Sequence, residues 1–184
     1  MKMSSSEKFI ALVLSDLCDA VGVDSWDTNL IRSSISTGNT WAISVEYEER
    51  LGSGKEEVPP SVEQVADYLS LWVLLEEAFV RFSDDEKALL SSKTGFSGGQ
   101  LRFPGFDGKS ESDQLSIATI LIEGMGRFLR FKGRDLNSHA PLIPVYSRMQ
   151  SCYVDISKGQ LGYQLDVDGV ASILKAAISG PRDE

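Results

Sequence analysis

The sequence predicts a predominantly α-helical protein, a single-domain multi-helix bundle built around a long buried central helix at about 62–82. Three observations predict it. Apolar residues recur at spacings of three and four along most of the chain. Capping pairs of the Ser-x-x-Glu and Ser-x-x-Gln kind stand ahead of the apolar runs. Only one short segment, 41–47, alternates apolar and polar residues in the period of a strand. With 184 residues and 42% hydrophobic content, the chain can bury roughly 70% of its unfolded surface without a disulfide or metal to staple it.

Ser4 and Glu7 form a capping box before Phe9, Ile10, Val13, Leu14 and Leu17, one apolar helix face that ends near Val21 or Gly22. Asp24 or Ser25 caps a second helix with Leu30, Ile31 and Ile35, stopped by Gly38. In 41–47, Trp41, Ile43, Val45 and Tyr47 suit a short strand, yet Trp41 with Val45 and Ile43 with Tyr47 also fit helical spacing, so both states stay open. Gly52, Gly54, Pro59 and Pro60 then break the chain. Ser61 with Gln64 caps the long helix, in which Val65, Ala66, Leu69, Trp72, Val73, Leu75, Phe79 and Phe82 leave little polar face, as in a helix running through a domain centre.

Ser83 caps a further helix through Glu86 to Leu90, and the Gly- and Ser-rich run 91–108 reads as a loop, ordered or mobile, around Phe103 and Phe106. Loops of that length are often functional. Ser110 opens a helix bearing Leu115, Ile117, Ile120, Leu121, Met125, Phe128 and Leu129, with Gly124 and Gly126 lowering its propensity but permitting close approach of another backbone. After a polar turn at 135–138, Pro141 suits the first turn of a helix carrying Val145, Tyr146, Met149, Cys152 and Tyr153 on one side. Asp166 caps the last helix, 167–178, closed by Gly180 and Pro181. No repeat divides the chain, so 1–180 reads as one domain and 181–184 as a free tail.

The N-terminal apolar run is too short for a signal-peptide core, and the longest apolar stretch, 69–80, is interrupted by Ser70, Glu76 and Glu77. A cytoplasmic protein without a membrane span is expected. Cys18 and Cys152 lie far apart with no C-x-x-C and no histidine at metal spacing, so they read as buried thiols in a reducing compartment, and neither metal nor cofactor is expected.

The formal charge of −9 is unevenly placed: 46–86 holds twelve carboxylates against Arg50, Lys55 and Arg81, itself a net of −9. Against it stands 126–150, where Arg127, Arg130, Lys132, Arg134 and Arg148 face only Asp135 and the sole histidine, His139, is found. Arg127, Arg130 and Arg134 have the spacing of one cationic stripe if the helix continues through Gly133, and such a stripe clamps phosphate or carboxylate. With Asn137 and Arg148 they are the candidate anion site. The competing reading pairs them with the acidic segment, within one chain or across a dimer. His139 and Asp107 are the candidates for proton transfer, but the chain has no nucleophile elbow, no H-E-x-x-H and no Walker lysine, so no residue is assigned as catalytic. An isoelectric point near 4.7 with a single basic patch argues against nucleic acid.

Six phrases carry a resemblance along nearly the whole chain: EKFIALVLSDL, STGNTWAISVEYEE, VEQVADYLSLW, FPGFDG at 103–108, GRFLRF at 126–131 and LNSHAPLIPVYSRM at 136–149. In this order and spacing the sequence resembles the bacterial YfbU-like family. The resemblance implies a mainly helical, cytoplasmic protein and supplies no reaction. Asp107, Arg127, Asn137, His139, Pro141, Tyr146 and Met149 sit on its phrases, and no role comes with them.

Two functions follow as expectations. The first is a non-enzymatic helical interaction or regulatory protein, a homo-oligomer or the partner of another protein. The second is a binder or hydrolase of a small phosphorylated ligand, in which Arg127, Arg130 and Arg134 hold the anion, Asp107 orients it and His139 moves a proton.

Overall fold

Ser4 and Ser83 each open a helix by the same reciprocal pair. The serine hydroxyl accepts the backbone N–H three residues on, from Glu7 or Glu86, and that glutamate accepts the serine's own N–H at 2.7 and 2.8 Å respectively. In each case the carboxyl is held below its ordinary range by the serine backbone bond first and the hydroxyl second. The computed structural model describes residues 3–52, 58–96, 99–158 and 164–178. Among them are nine α-helices: α1 (Ser5–Val21), α2 (Thr28–Ser36), α3 (Trp41–Glu46), α4 (Glu48–Leu51), α5 (Pro60–Arg81), α6 (Asp84–Thr94), α7 (Ser112–Thr119), α8 (Ile143–Ser157) and α9 (Val167–Ile178). The chain is predominantly α, as expected, and the only β pairing among the described residues is a parallel bridge between Phe106 and Asn137.

Contacts group the chain into two units, 1–63 with 113–134 and 64–112 with 135–184. In the first unit, Ile35, Ile43 and Tyr47 form a buried cluster against which Ala11 and Leu12 of α1, Trp26 and Ile31 pack. The segment at 41–47 is helix, not strand. Trp41, Ala42, Ile43 and Ser44 are buried in succession, and no neighbouring strand pairs with their amides. Asp27, not Asp24 or Ser25, caps α2: its carboxylate accepts the Leu30 N–H at 2.8 Å, and its own N–H donates to the Tyr47 hydroxyl at 2.6 Å. With α2 starting at Thr28, Asp27 holds the cap position, from which a side chain reaches the N–H two or three residues on, and Asp24 and Ser25 lie too early.

In the second unit α5 buries Val65, Tyr68, Leu69, Leu71, Trp72, Leu75, Ala78 and Phe79, so the expected central helix is present. It begins at Pro60, which places Ser61 inside the first turn rather than at the cap. Likewise Pro144, not Pro141, occupies the first turn of α8. The stretch read as a loop from Ser91 begins only after Thr94, where Gly95 ends α6 in the left-handed conformation. Phe103 and Phe106 are not on a mobile arm: both are buried and stack around Tyr146, with ring centroids 5.8 and 5.6 Å from it. Asp166 caps α9 through the Gly169 N–H at 2.8 Å, while the expected Gly180 and Pro181 stop and the tail at 181–184 lie outside the described residues.

Gly105 sets the approach of the two loops in this unit. Its φ of +95° is a glycine conformation, and a Cβ there would collide with the Leu136 carbonyl. Gly105→Ala should therefore lower unfolding stability by about 3 kcal/mol or more, read from urea titration. A loss under about 1 kcal/mol would mean that the two loops do not need this contact.

Candidate functional site

The phrases 103–108 and 136–149 meet in the second unit. The Phe106 N–H donates to the Leu136 carbonyl at 2.9 Å, and the Ser138 N–H returns to the Phe106 carbonyl at 3.1 Å. Asn137 locks the crossing, since its side-chain oxygen accepts the N–H groups of Gly108 at 3.1 Å and His139 at 3.0 Å. Below the crossing, the Tyr146 hydroxyl donates to the Gly105 carbonyl at 2.6 Å. Burial pushes the Tyr146 phenol far up, with the Glu111 charge adding to it, so this group stays a neutral donor.

Glu111 is the centre of the arrangement, and the sequence reading passed over it. It is 3% exposed, yet its carboxylate accepts three backbone donors: Leu142 at 2.6 Å, Ile143 at 2.7 Å and Asp107 at 3.0 Å. The first two stand at the opening of α8, where no side chain supplies a local cap. A buried carboxylate at the orphan donors of a helix start is stabilised by both hydrogen bonding and the helix dipole. Glu111 is one of four acids between the two phrases, with Asp113, Glu123 and Asp135, and nothing in its spacing sets it apart.

Asp107 faces Ser110. Its Oδ2 accepts the Ser110 hydroxyl at 2.6 Å and the Ser110 N–H at 3.0 Å, and these bonds hold its carboxyl below the ordinary range. His139 sits at φ +54° with its residue exposed, shaped by the turn around Asn137. Arg148 caps the other end of the unit: its guanidinium donates to the carbonyls of Ala176, Ala177 and Pro144 at 3.1, 2.8 and 3.0 Å, so it holds the end of α9.

The cationic stripe expected on one helix does not form, because that helix ends early. After α7 the backbone widens into a π turn, Ile120–Gly124, with the Met125 N–H bonded back to Ile120 at 2.8 Å. Gly126 at φ +62° and Phe128 at φ 52° then reverse the chain into a short 3-10 turn, Leu129–Phe131. Arg127 and Arg130 are exposed on this reversal, and Arg134 lies over the Phe131 ring at 5.2 Å. The spacing that a continuous helix would convert into a clamp is thus distributed around a turn. In the same unit, a hollow of about 290 Å³ is lined by Thr37, Asn39, Trp41 and Ser116, but the Asn39 side chain already joins the other three at 2.8 to 3.0 Å.

Among the described residues, no three of His, Cys, Asp and Glu are grouped so as to hold a metal ion, and no helix is long and apolar enough to cross a membrane. Cys18 and Cys152 are both free and half-buried, and burial, followed by the Asp155 charge, pushes the Cys152 thiol up.

The face of α1 that the spacing had marked as apolar is exposed. Phe9, Ile10, Val13, Leu14, Leu17 and Val21 are 47 to 67% exposed, while Ser15 on the opposite side is 3% exposed. The helix therefore meets its own unit through Ala11, Leu12 and Ser15 and turns its larger apolar residues outward.

Glu111→Gln should cost about 2–4 kcal/mol in denaturant unfolding, because an amide NH₂ would meet a backbone N–H in place of one carboxylate oxygen. For Asp107 the depressed carboxyl contributes stability fully present above the unfolded value of about 3.9 and lost as pH falls through the lower folded value. Ser110→Ala should thus flatten the loss of thermal stability between about pH 4 and 2, with the wild type steeper in the same scan. Parallel curves would remove Asp107 from the acid response.

The sequence model of the YfbU domain matches residues 28–176. A curated relative, UPF0304 protein MJECS11 of the archaeon Methanocaldococcus jannaschii, is 28% identical over 136 residues, covering 71% of this chain and 76% of its own length. That relative extends the likeness beyond bacteria. No solved structure matches the chain. With the domain match spanning most of its length, from α2 into α9, the chain belongs to the YfbU family.

Proposed function

We propose that this chain is a non-enzymatic helical interaction or regulatory protein of the cytoplasm, and that it works through the outward face of α1. The observation that carries the reading is the contrast between its polar and apolar groups. The side chains with chemical potential in the second unit, Asp107, Glu111, Asn137 and Arg148, are bonded to backbone or to Ser110. Among the described residues, the large apolar side chains of that α1 face stay about half exposed to water or more. Groups engaged in holding loops together have to break those bonds before they can act on a substrate, whereas an exposed apolar patch loses nothing on docking. Two free thiols suit a reducing compartment.

The second expectation, a phosphate binder or hydrolase on Arg127, Arg130 and Arg134, has less support, since its geometry rested on a helix that ends before Arg127. A thermal-shift screen with inorganic phosphate, nucleotides and sugar phosphates should show no rise in melting temperature. A ligand at 100 times its dissociation constant would add about 2.7 kcal/mol, well within detection. A rise that Arg127→Ala abolishes would replace the interaction reading with the binder. In gel filtration of cell extract, the chain at native abundance should elute in a complex larger than itself, and Leu17→Glu should elute as a single chain. Single-chain elution of both would count against an interaction role.

A further inference from the structure

From the make-up of the exposed α1 face, we infer that its occupant is a second copy of this chain, packed antiparallel across a two-fold axis at the middle of the helix. The inference rests on the reading of that face as the working surface and names its partner. At 3.6 residues per turn, Phe9, Ile10, Val13, Leu14, Leu17 and Val21 span about 140° of the helix circumference, and the only other residues within that arc are Ser6 and Ala20. None of the eight carries a charge. Ala11 and Leu12 pack inward on the first unit with the buried Ser15, on the side away from this arc, so the chain's own packing does not use the arc.

The chemistry of the arc selects the partner. A chain of formal charge −9 resists association with itself wherever carboxylates must be buried together. Here the seam contains none, and of the two carboxylates on its borders Asp16 is held by Arg32 at 2.8 Å and Glu7 by the Ser4 N–H at 2.7 Å. An arc without charge or unsatisfied side-chain donors asks for no complementary sign and is complementary to itself, the requirement of an isologous interface. Half-exposure of six large apolar side chains leaves on the order of 500 Å² uncovered, at the upper end of what single chains show. Each partner contributes that area, and its polar rim would supply the rest of the roughly 800 Å² per partner of a stable interface.

The antiparallel sense follows from side-chain size and from the helix dipole. With the axis level with Ser15, Phe9 at one end lies over Ala20 and Val21 of the other copy, and Val13 meets Leu17. Large then faces small at both ends, and the helix dipoles oppose. A parallel pair would set Phe9 against Phe9 and align the dipoles.

Light scattering on the purified full chain should give twice the 20.2 kDa chain mass at micromolar concentration. Leu17→Glu and Val13→Glu, each placing a charge in the seam, should weaken the dimer about 100-fold with unchanged far-ultraviolet circular dichroism. In a Cys18→Ser, Cys152→Ser background, Phe9→Cys mixed with Val21→Cys should give the crosslinked pair, and Phe9→Cys alone should not. A single chain at every concentration overturns the second copy; if the extract complex persists and Leu17→Glu still dissolves it, the working surface stands with a different occupant, and if it does not, both fall. A dimer indifferent to both glutamates, or one that crosslinks through Phe9→Cys alone, also overturns it.

Discussion

In the second unit one buried carboxylate decides where the backbone can go. Glu111 accepts N–H groups from Asp107 on its own loop and from Leu142 and Ile143 at the start of α8, so a single side chain satisfies donors separated by more than thirty residues. A buried donor without a partner costs about 1–3 kcal/mol, and three share this acceptor. Around that fixed point the rest falls into place. Phe106 bridges to the strand-like turn at Asn137, Gly105 lies against Leu136, and Tyr146 reaches the Gly105 carbonyl from below. The aromatic cluster of Tyr68, Trp72, Phe103, Phe106 and Tyr146 then closes the core with edge-to-face and tilted contacts. This construction explains why polar residues gathered in two phrases need not mark a catalytic centre: a loop-to-loop crossing in a helical protein has no sheet to absorb its amides, so side chains must do it.

Local rules carried the helices well. The capping boxes at Ser4 and Ser83 and the Asp166 cap are decided within four residues, and those are the places where pattern and structure agree. Where the reading slipped, a longer-range contact had chosen between local alternatives. Asp27 prevails over Asp24 because Tyr47, twenty residues away, also binds its N–H. The segment at 41–47 is helical because its apolar residues meet Ile35 and Leu12 rather than a strand, a fact its two periods could not express.

The candidate site was less legible, for two reasons. Charge spacing becomes geometry only through a backbone, and the π turn and reversal at Gly126 and Phe128 undo the helical conversion of Arg127, Arg130 and Arg134. Glycines at 124 and 126 were visible, but nothing local distinguishes a glycine that permits packing from one that ends a helix. Glu111 escaped for the opposite reason. Acids in sequence are ordinarily solvated, and its partners are backbone amides with no side-chain signature.

The apolar spacing of α1 was legible in the sequence and its direction was not. Phe9, Ile10, Val13, Leu14 and Leu17 define a face on any helical projection, but a projection does not say which apolar side meets the chain's own core. The structure turns inward the side with Ala11, Leu12 and Ser15 and leaves the side with Phe9, Val13 and Leu17 outward. Ala11 and Ser15 permit close approach on that side, where Arg32 of α2 reaches Asp16 and Asp19. The bulky face is then what remains after internal packing has been optimised, and water is its least favourable neighbour. With every charge of α1 outside the arc from Phe9 to Leu14, the helix keeps an uncharged apolar surface that its own unit leaves open.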